Sequence, residues 1–422
     1  MKKFNKLIKW SIIAGVSYFI LTTLYFGYDD IDNKKGIYKF YWSGLRGLWE
    51  DRPFGFKTNK IVEIKLNGVD GPYVFGDSSF FVDEHNVFHQ QRIDRNKKIT
   101  VRTSCEQLPK FTVSLKDSFH IEENQYEMPN KLIAISDIEG NFTGFYSFLL
   151  ANEVIDKNAN WVFGNGHLVL NGDFFDRGSQ VTQVLWLIYS LESQAAQQGG
   201  KVHYVLGNHE IMNLYGDVSH NDFKYIEVSK RVSKQNDWDK GMRYLYSEKS
   251  ELGKWLRSKN IIEKIGNNIF VHGGLNVYHL RGKYTISELN NITRKYTGIA
   301  PTEENLKVSR DRPILSTVNS PYWDRRLNLE WKNKIMFKLN GIDAKATTQS
   351  ELDSILNFYH SSRIIVGHCV VEDICTGYNN KVIKIDLKHG QQMNSGRTKG
   401  ILLENNIFYK VDDRSLKEQL FN

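Results

Sequence analysis

The sequence predicts an α/β protein whose functional site lies at the carboxyl ends of parallel strands. Three stretches carry that expectation, each an apolar run that stops at a loop of polar, metal-capable side chains. Lys131-Leu-Ile-Ala-Ile-Ser136 runs into Asp137-Ile-Glu139-Gly140-Asn141, and His167-Leu-Val-Leu170 into Asn171-Gly-Asp173-Phe-Phe-Asp176-Arg177-Gly178. The third, Lys201-Val-His-Tyr-Val-Leu206, runs into Gly207-Asn208-His209-Glu210. Short β-branched runs followed by helical patterns read as parallel strands. Sheets of that kind bind ligands outside the carboxyl ends of their strands.

The whole chain sets the outer bounds. Its 422 residues suffice for a sizeable core and more than one domain. With 41% hydrophobic and 25% charged residues and only 7 Pro, it reads as globular rather than disordered. The net charge of +8 is spread along the chain, and no aromatics alternate with a basic groove, so a nucleic-acid partner is not expected. Three cysteines, Cys105, Cys369 and Cys375, are too few for a disulfide framework, although a single Cys369–Cys375 bridge remains open.

At the amino terminus, Lys2, Lys3, Lys6 and Lys9 precede the uncharged stretch Trp10 to Gly27. Its length is at the lower limit for a membrane-spanning helix. Lysines before it and Asp29-Asp30 after it fit an anchor with residues 1–9 in the cytoplasm and the bulk outside. A cleaved signal peptide, giving a secreted protein, is the alternative. Residues 28–130 carry short aromatic or β-branched runs, Gly68 to Phe75, Phe80 to Asp83, Val87-Phe88 and Ile99 to Arg102, separated by Gly, Asp and Asn; they read as a small β-rich region.

Beyond the three loops, residues 223–259 read as helical, with apolar residues at helical spacing from Arg243 to Leu256. Ile261-Ile262 and Ile269 to Val271, separated by Gly266-Asn-Asn268, read as a hairpin ending at His272-Gly-Gly274. Ser287 is the expected cap of a short helix. Residues 301–345 lack periodicity and read as an insertion or long loop. An amphipathic helix from Glu351 to Tyr359 feeds the strand Arg363-Ile-Ile-Val366, which stops at Gly367-His368. Lys381 to Asp386, Ile401 to Leu403 and Ile407 to Tyr409 close the sheet.

Asp137 and Glu139 stand two apart at a strand end, so their carboxylates leave the same side of the backbone. Held close, they repel unless a cation lies between them. Asp173, at the end of the neighbouring strand, can share that cation. Asn208 offers an amide oxygen, and His272 and His368 offer imidazole nitrogens. A lone Asp after a strand is usually a cap, and a lone His is usually structural. Five strand ends all carrying such groups point instead to two divalent ions sharing a carboxylate.

These residues resemble the calcineurin-like metallophosphoesterases. The resemblance rests on Asp137-x-Glu139-Gly140, Gly172-Asp173-x-x-Asp176-Arg177-Gly178, Gly207-Asn208-His209-Glu210, His272-Gly-Gly and Gly367-His368. The Asp-Arg-Gly ending and the Glu after Asn-His resemble the phosphoprotein-phosphatase type, nearest to the bacterial Shewanella-like phosphatases. The resemblance covers about residues 131–412, expected as the catalytic domain. It implies two sheets sandwiched and flanked by helices, and hydrolysis of phosphomonoesters, phosphoproteins among them, by water activated between two metal ions. It also implies one ion on Asp137, Glu139 and Asp173, and a second on Asp173, Asn208, His272 and His368. His209 would protonate the leaving group, Asp176 would orient His209, and Arg177 would hold the phosphate. A second phosphate arginine is expected in Pro321-Tyr-Trp-Asp-Arg-Arg326, with Arg325 preferred over Arg326 and Arg312.

One departure is plain: the family has His where this chain has Glu139. The carboxylate lowers the formal site charge by one unit and favours harder ions, so Mn²⁺ is expected, with Mg²⁺, Fe and Zn²⁺ as alternatives. Two rival readings stand beside the hydrolase: a phosphate-binding pseudoenzyme, suggested by Glu139, and a hydrolase of dinucleotide polyphosphates or other phosphodiesters.

Overall fold

The computed structural model describes residues 2–32, 37–42, 44–45, 56–61, 64–300, 309, 311–329, 334 and 345–421. Two six-stranded sheets organise them. The first runs Lys201–Val205, His167–Asn171, Lys131–Ile135, Lys399–Glu404, Ile407–Asp412, Lys417–Gln419. Its first three strands are parallel, and they are the apolar runs of the opening motifs. Leu132 pairs with His167 and Asn171 with Val205, a register that brings the loops after all three strands out at one edge. Leu132 to Ile135 and Leu168 to Asn171 are wholly buried, as strands covered on both faces must be.

The second sheet runs Cys375–Gly377, Val382–Lys384, Arg363–Val366, Asn268–Val271, Ile262–Ile265, Gln125–Tyr126. One apolar cluster draws on both sheets, with Leu132, Val169 and Val205 from the first and Phe270, Ile365 and Ile383 from the second. The fold is α/β. Gln125–Tyr126 and Lys417–Gln419 pair into these sheets from outside residues 131–412.

Several elements differ in detail from expectation. Residues 223–259 form three helices, Phe223–Ser233, Trp238–Leu245 and Glu251–Arg257, rather than one run. The breaks are local: Lys234 turns left-handed, Asp237 caps the Lys240 N–H at 3.1 Å, and Ser250 caps that of Gly253 at 3.0 Å. Capping side chains of this type outcompete helix continuation. The helix expected to start at Ser287 starts at Ile286, capped by Thr285, whose hydroxyl accepts from the Glu288 N–H. The hairpin at residues 262–271 forms as expected. Within the expected loop at 301–345, residues 301–308, 310, 330–333 and 335–344 lie outside the described residues, while Arg312–Leu315 and Arg326–Asn328 form 3-10 turns. All three cysteines are free, so the Cys369–Cys375 bridge is not made.

The β-rich region gains one strand not expected from the sequence, Lys110–Val113, which pairs with the expected Ile99–Arg102. It docks on the helix Val181–Gln197. Trp186 Nε1 donates to Pro72 O at 2.8 Å, Gln183 Nε2 donates to Val69 O at 3.1 Å, and the Tyr73 and Thr182 hydroxyls lie 2.9 Å apart. At the amino terminus a helix spans Lys2–Phe26. Its segment Lys6–Tyr25 is long and apolar enough to cross a membrane, and none of it is buried in the protein.

Candidate active site

The first two loops are zipped together by their backbones. The amides of Asp137, Glu139 and Gly140 donate to the carbonyls of Gly172, Asp173 and Phe174 at 2.9 to 3.0 Å, and Gly178 donates back to Glu139 at 2.9 Å. Asp137, Glu139, Asp173, Asp176, Arg177 and His368 all take left-handed backbone conformations, with φ between 49° and 70°. Each costs a non-glycine residue on the order of 1 kcal/mol, and such strain concentrates at functional sites. Gly172, at φ 88°, has no alternative: a Cβ there would come within 2.5 Å of His272 Nδ1.

Asp173, His272 and His368 come together, their ligand atoms within 4.8 Å of one another. The His272 Nδ1–H donates to Asn171 O at 2.8 Å, which leaves Nε2 as a bare lone pair. That Nε2 lies 2.9 Å from Asp173 Oδ2, yet the two do not align as a hydrogen bond. We read this as two lone pairs aimed at a shared point. His368 Nε2 and Asn208 Oδ1 are likewise buried without a partner. Buried polar atoms are almost always satisfied, so orphaned acceptors around one carboxylate fit a cation. Asp173 and Asp137 pull the His272 imidazole up to about 10, against the strong opposing effect of burial. The field that would hold a proton there would equally hold a divalent ion. Burial, aided by Arg325 and His272, keeps His368 neutral, the ligating form.

Asp137 joins from the other side. Its Oδ2 accepts from the His368 amide at 3.3 Å, and burial, with Asp173 adding and His272 opposing, pushes its carboxyl up to about 6. Glu139 is not brought into this cluster. Its carboxylate contacts the Arg177 guanidinium at the mouth of the site.

His209 and Asp176 pair as expected, His209 Nδ1 lying 2.5 Å from Asp176 Oδ2. Asp176 is held in turn by Asn213 Nδ2 at 2.8 Å and by Asn221 Nδ2. Burial lowers the His209 pKa, but Asp173 and Asp176 outweigh it and the net direction is upward. Arg325 lies beside the cluster, its Nη1 donating to His368 O at 3.1 Å and reaching Cys369 Sγ at 3.5 Å. Arg326 is committed elsewhere, to Asp324 Oδ2 and Val318 O at 2.9 Å. Arg312 sits in a turn packed on the helix Ile286–Lys295.

Three residues at the site were not singled out for roles from sequence. Glu210 braces the loops: its carboxylate accepts from the amides of Asp173, Phe174 and Gly207 at 2.7 to 2.9 Å and from the Tyr204 hydroxyl at 3.0 Å. His220 lies with its ring 5.1 Å from that of His209 and takes the Arg177 amide on its carbonyl. Asp386 is a buried carboxyl pushed well up by burial and by the charge of Asp137. Glu210, placed at the third position of its helix, was the one with a readable signal, since an acid there reaches back to the cap amide.

An α/β fold with a buried carboxylate–imidazole cluster that could hold a metal ion, beside a His–Asp pair, is that of a phosphoester hydrolase. More specifically, residues 131–369 match the calcineurin-like phosphoesterases, and the chain belongs to that family. It is 28% identical over 318 residues to Shewanella-like protein phosphatase 1 of Plasmodium berghei, covering 72% of this chain and 77% of that one. To Shewanella-like protein phosphatase 2 of Arabidopsis thaliana it is 24% identical over 339 residues, 67% of this chain and 82% of the relative. Among solved structures it resembles the cold-active protein-tyrosine phosphatase of a psychrophilic Shewanella species, with a TM-score of 0.70 and 29% identity, covering 84% of this chain and all of that one.

Proposed function

We propose that this phosphoesterase hydrolyses phosphomonoesters, phosphoproteins among them, with two divalent ions held at the strand ends. What carries the reading is the pair of orphaned imidazole nitrogens of His272 and His368 around Asp173; Asn208 Oδ1, after the neighbouring strand, is likewise buried and unpaired. Asp173, Asn208, His272 and His368 would hold one ion, and Asp137 with Asp173 the other. Bound ions would supply Lewis acidity and a nucleophile at neutral pH, with Mn²⁺ the favoured species. His209, whose protonated form its acid partners favour, would give its proton to the departing alkoxide. Asp176 fixes the His209 ring so that Nε2 faces the site. Arg177 and Arg325 would bind phosphate oxygens, a forked geometry that lysine cannot supply.

The sandwich arrangement of the sheets is supported by the apolar cluster they share. The reading extends to an uncleaved amino-terminal anchor with residues 131–412 outside the cytoplasm, supported by the exposed apolar helix and the lysines before it. The His209–Asp176 pair favours a working enzyme over a pseudoenzyme, because a phosphate binder has no use for a leaving-group acid. The test is turnover of p-nitrophenyl phosphate, its bis ester and a dinucleotide polyphosphate by the full chain in detergent with added Mn²⁺. The monoester should be the best substrate, and a protein with bound metal that turns over none of the three would refute the proposal.

A further inference from the structure

We propose that Glu139 is the counter-ion of Arg177 rather than a metal ligand, so that an incoming phosphate must displace its carboxylate to reach the guanidinium; the inference rests on the phosphoesterase reading above. Glu139 stands where the resembling family has a ligating His. The structure places its carboxylate on the Arg177 guanidinium; neither Glu139 nor Asp137 belongs to the close group of Asp173, His272 and His368, and of these two acids only Asp137 is buried. The contact is set by the backbone, not by two long side chains meeting in solvent. Glu139 N–H donates to Asp173 O at 3.0 Å, Gly178 N–H donates to Glu139 O at 2.9 Å and Gln180 N–H to Gly140 O at 3.1 Å, so residue 139 is stitched beside residues 177 and 178. The fit leaves no slack: a Cβ on Gly178 would come within 2.3 Å of Glu139 O.

Depth separates Glu139 from the other acids. Its side chain is 24% exposed and that of Arg177 52%, whereas Asp137 and Asp173 are buried. The carboxylate therefore lies one layer outward, where an incoming phosphate would meet Arg177. A carboxylate on the guanidinium occupies a donor that a phosphate oxygen would use. An incoming group must displace it. The cost of that displacement falls on any phosphoester alike, and a neutral side chain at this position would remove it.

The experiment is a double-mutant cycle on the full chain in detergent, loaded with Mn²⁺, using Glu139→Gln, Arg177→Ala and their combination. For Glu139→Gln the bound metal per chain should be unchanged. KM for p-nitrophenyl phosphate and the inhibition constant of inorganic phosphate should both fall by about three- to tenfold, as expected when a charged competitor is removed. KM for the bis ester should fall by a similar factor, since the displacement is common to both esters, and in the Arg177→Ala background each effect should shrink to below about twofold. Loss of one metal ion per chain in Glu139→Gln, or effects of the same size with and without Arg177, would overturn the proposal. If Glu139→Gln is poorly folded by circular dichroism, Glu139→Ala carries the same expectations. A wild-type chain that turns over neither ester would overturn the phosphoesterase reading and this proposal with it.

Discussion

Buried histidines sit at both ends of the parallel strands, and their hydrogen bonding tells the two ends apart. Near the amino ends, His203 has both nitrogens engaged, Nδ1 with Glu263 at 2.6 Å and Nε2 with His167 at 2.9 Å, and Asn260 completes Glu263 at 3.0 Å. At the carboxyl ends, His272 is half satisfied and both it and His368 keep an orphaned Nε2. Each region buries imidazole against a carboxylate, so burial and charge do not distinguish them. The distinction lies in what is left unpaired. A satisfied network rigidifies the fold, whereas an unsatisfied one at full burial implies a ligand.

The sharpest way to break this comparison is to truncate one residue at each end. His272→Ala should lose bound metal and reduce turnover by well over about 100-fold, since ligand loss exceeds the 10–100-fold cost of losing a ligand's supporting partner. His203→Ala should retain its metal and its kcat, and instead lose stability, because Glu263 Oε2 loses its buried partner while Asn260 holds only Oε1, at a cost of about 1–3 kcal/mol. Metal analysis and thermal unfolding on the two variants decide it. If His203→Ala loses metal as His272→Ala does, the distinction drawn from orphaned lone pairs fails.

Next in size is Asp176→Asn, which should lower kcat by about 10²–10⁴ while leaving metal content intact. Its pH signature follows from His209. The acid partners raise the folded pKa of His209 against burial, which favours the protonated form the leaving group needs, and that proton is lost as pH rises through the raised value. Removing Asp176 lowers the pKa and should move the basic limb of kcat to lower pH. An unchanged basic limb would remove His209 from the role of acid.

The elements legible in the sequence were those with an abrupt ending. Lys131–Ile135, His167–Asn171 and Lys201–Val205 are apolar runs cut off by Asp, Asn or Gly, and that contrast survives without tertiary information. Residues 223–259 misled because Arg243 to Leu256 keeps helical spacing across a break made by the capping hydroxyl of Ser250, which costs the pattern nothing. The strand Lys110–Val113 was missed because four residues are too few to show alternation. In the site, residue type and loop position nominated Asp137, Asp173, Asn208, His272 and His368. They could not reveal which way Glu139 turns, since that depends on Arg177 being stitched beside it by the backbone. The preference for Arg325 over Arg326 came from the resemblance; that Arg326 is claimed by Asp324 is a pairing that spacing could not reveal.

Arg325 supplies a smaller effect at the same end. Arg325→Ala should raise KM for p-nitrophenyl phosphate by roughly tenfold, the loss of one hydrogen bond to a charged group at about 1.5–3 kcal/mol. Arg326→Ala should instead act on stability through Asp324. Steady-state kinetics on both would reverse the assignment if only Arg326→Ala changed KM.

The smallest effect separates a third histidine from the ligand pair. His279 is buried beneath the Arg325 segment; its Nε2 donates to Asn319 O at 2.7 Å and its Nδ1 accepts from the Asn276 amide at 3.2 Å. Burial is the main cause holding its pKa down to about 4, against an upward pull from Asp324. In the unfolded chain the same imidazole takes its proton near pH 6.5. Between those values the unfolded state binds more protons, so stability declines as pH falls from about 6.5 toward 4. The contribution is at most about 3 kcal/mol from this group. His279→Gln should therefore be less stable than the wild type at pH 7.5 but show a shallower loss of Tm on going to pH 5. Measured with chelator present, so that metal release does not add its own slope, an equal or steeper loss in the variant would show that His279 is not held neutral by the fold.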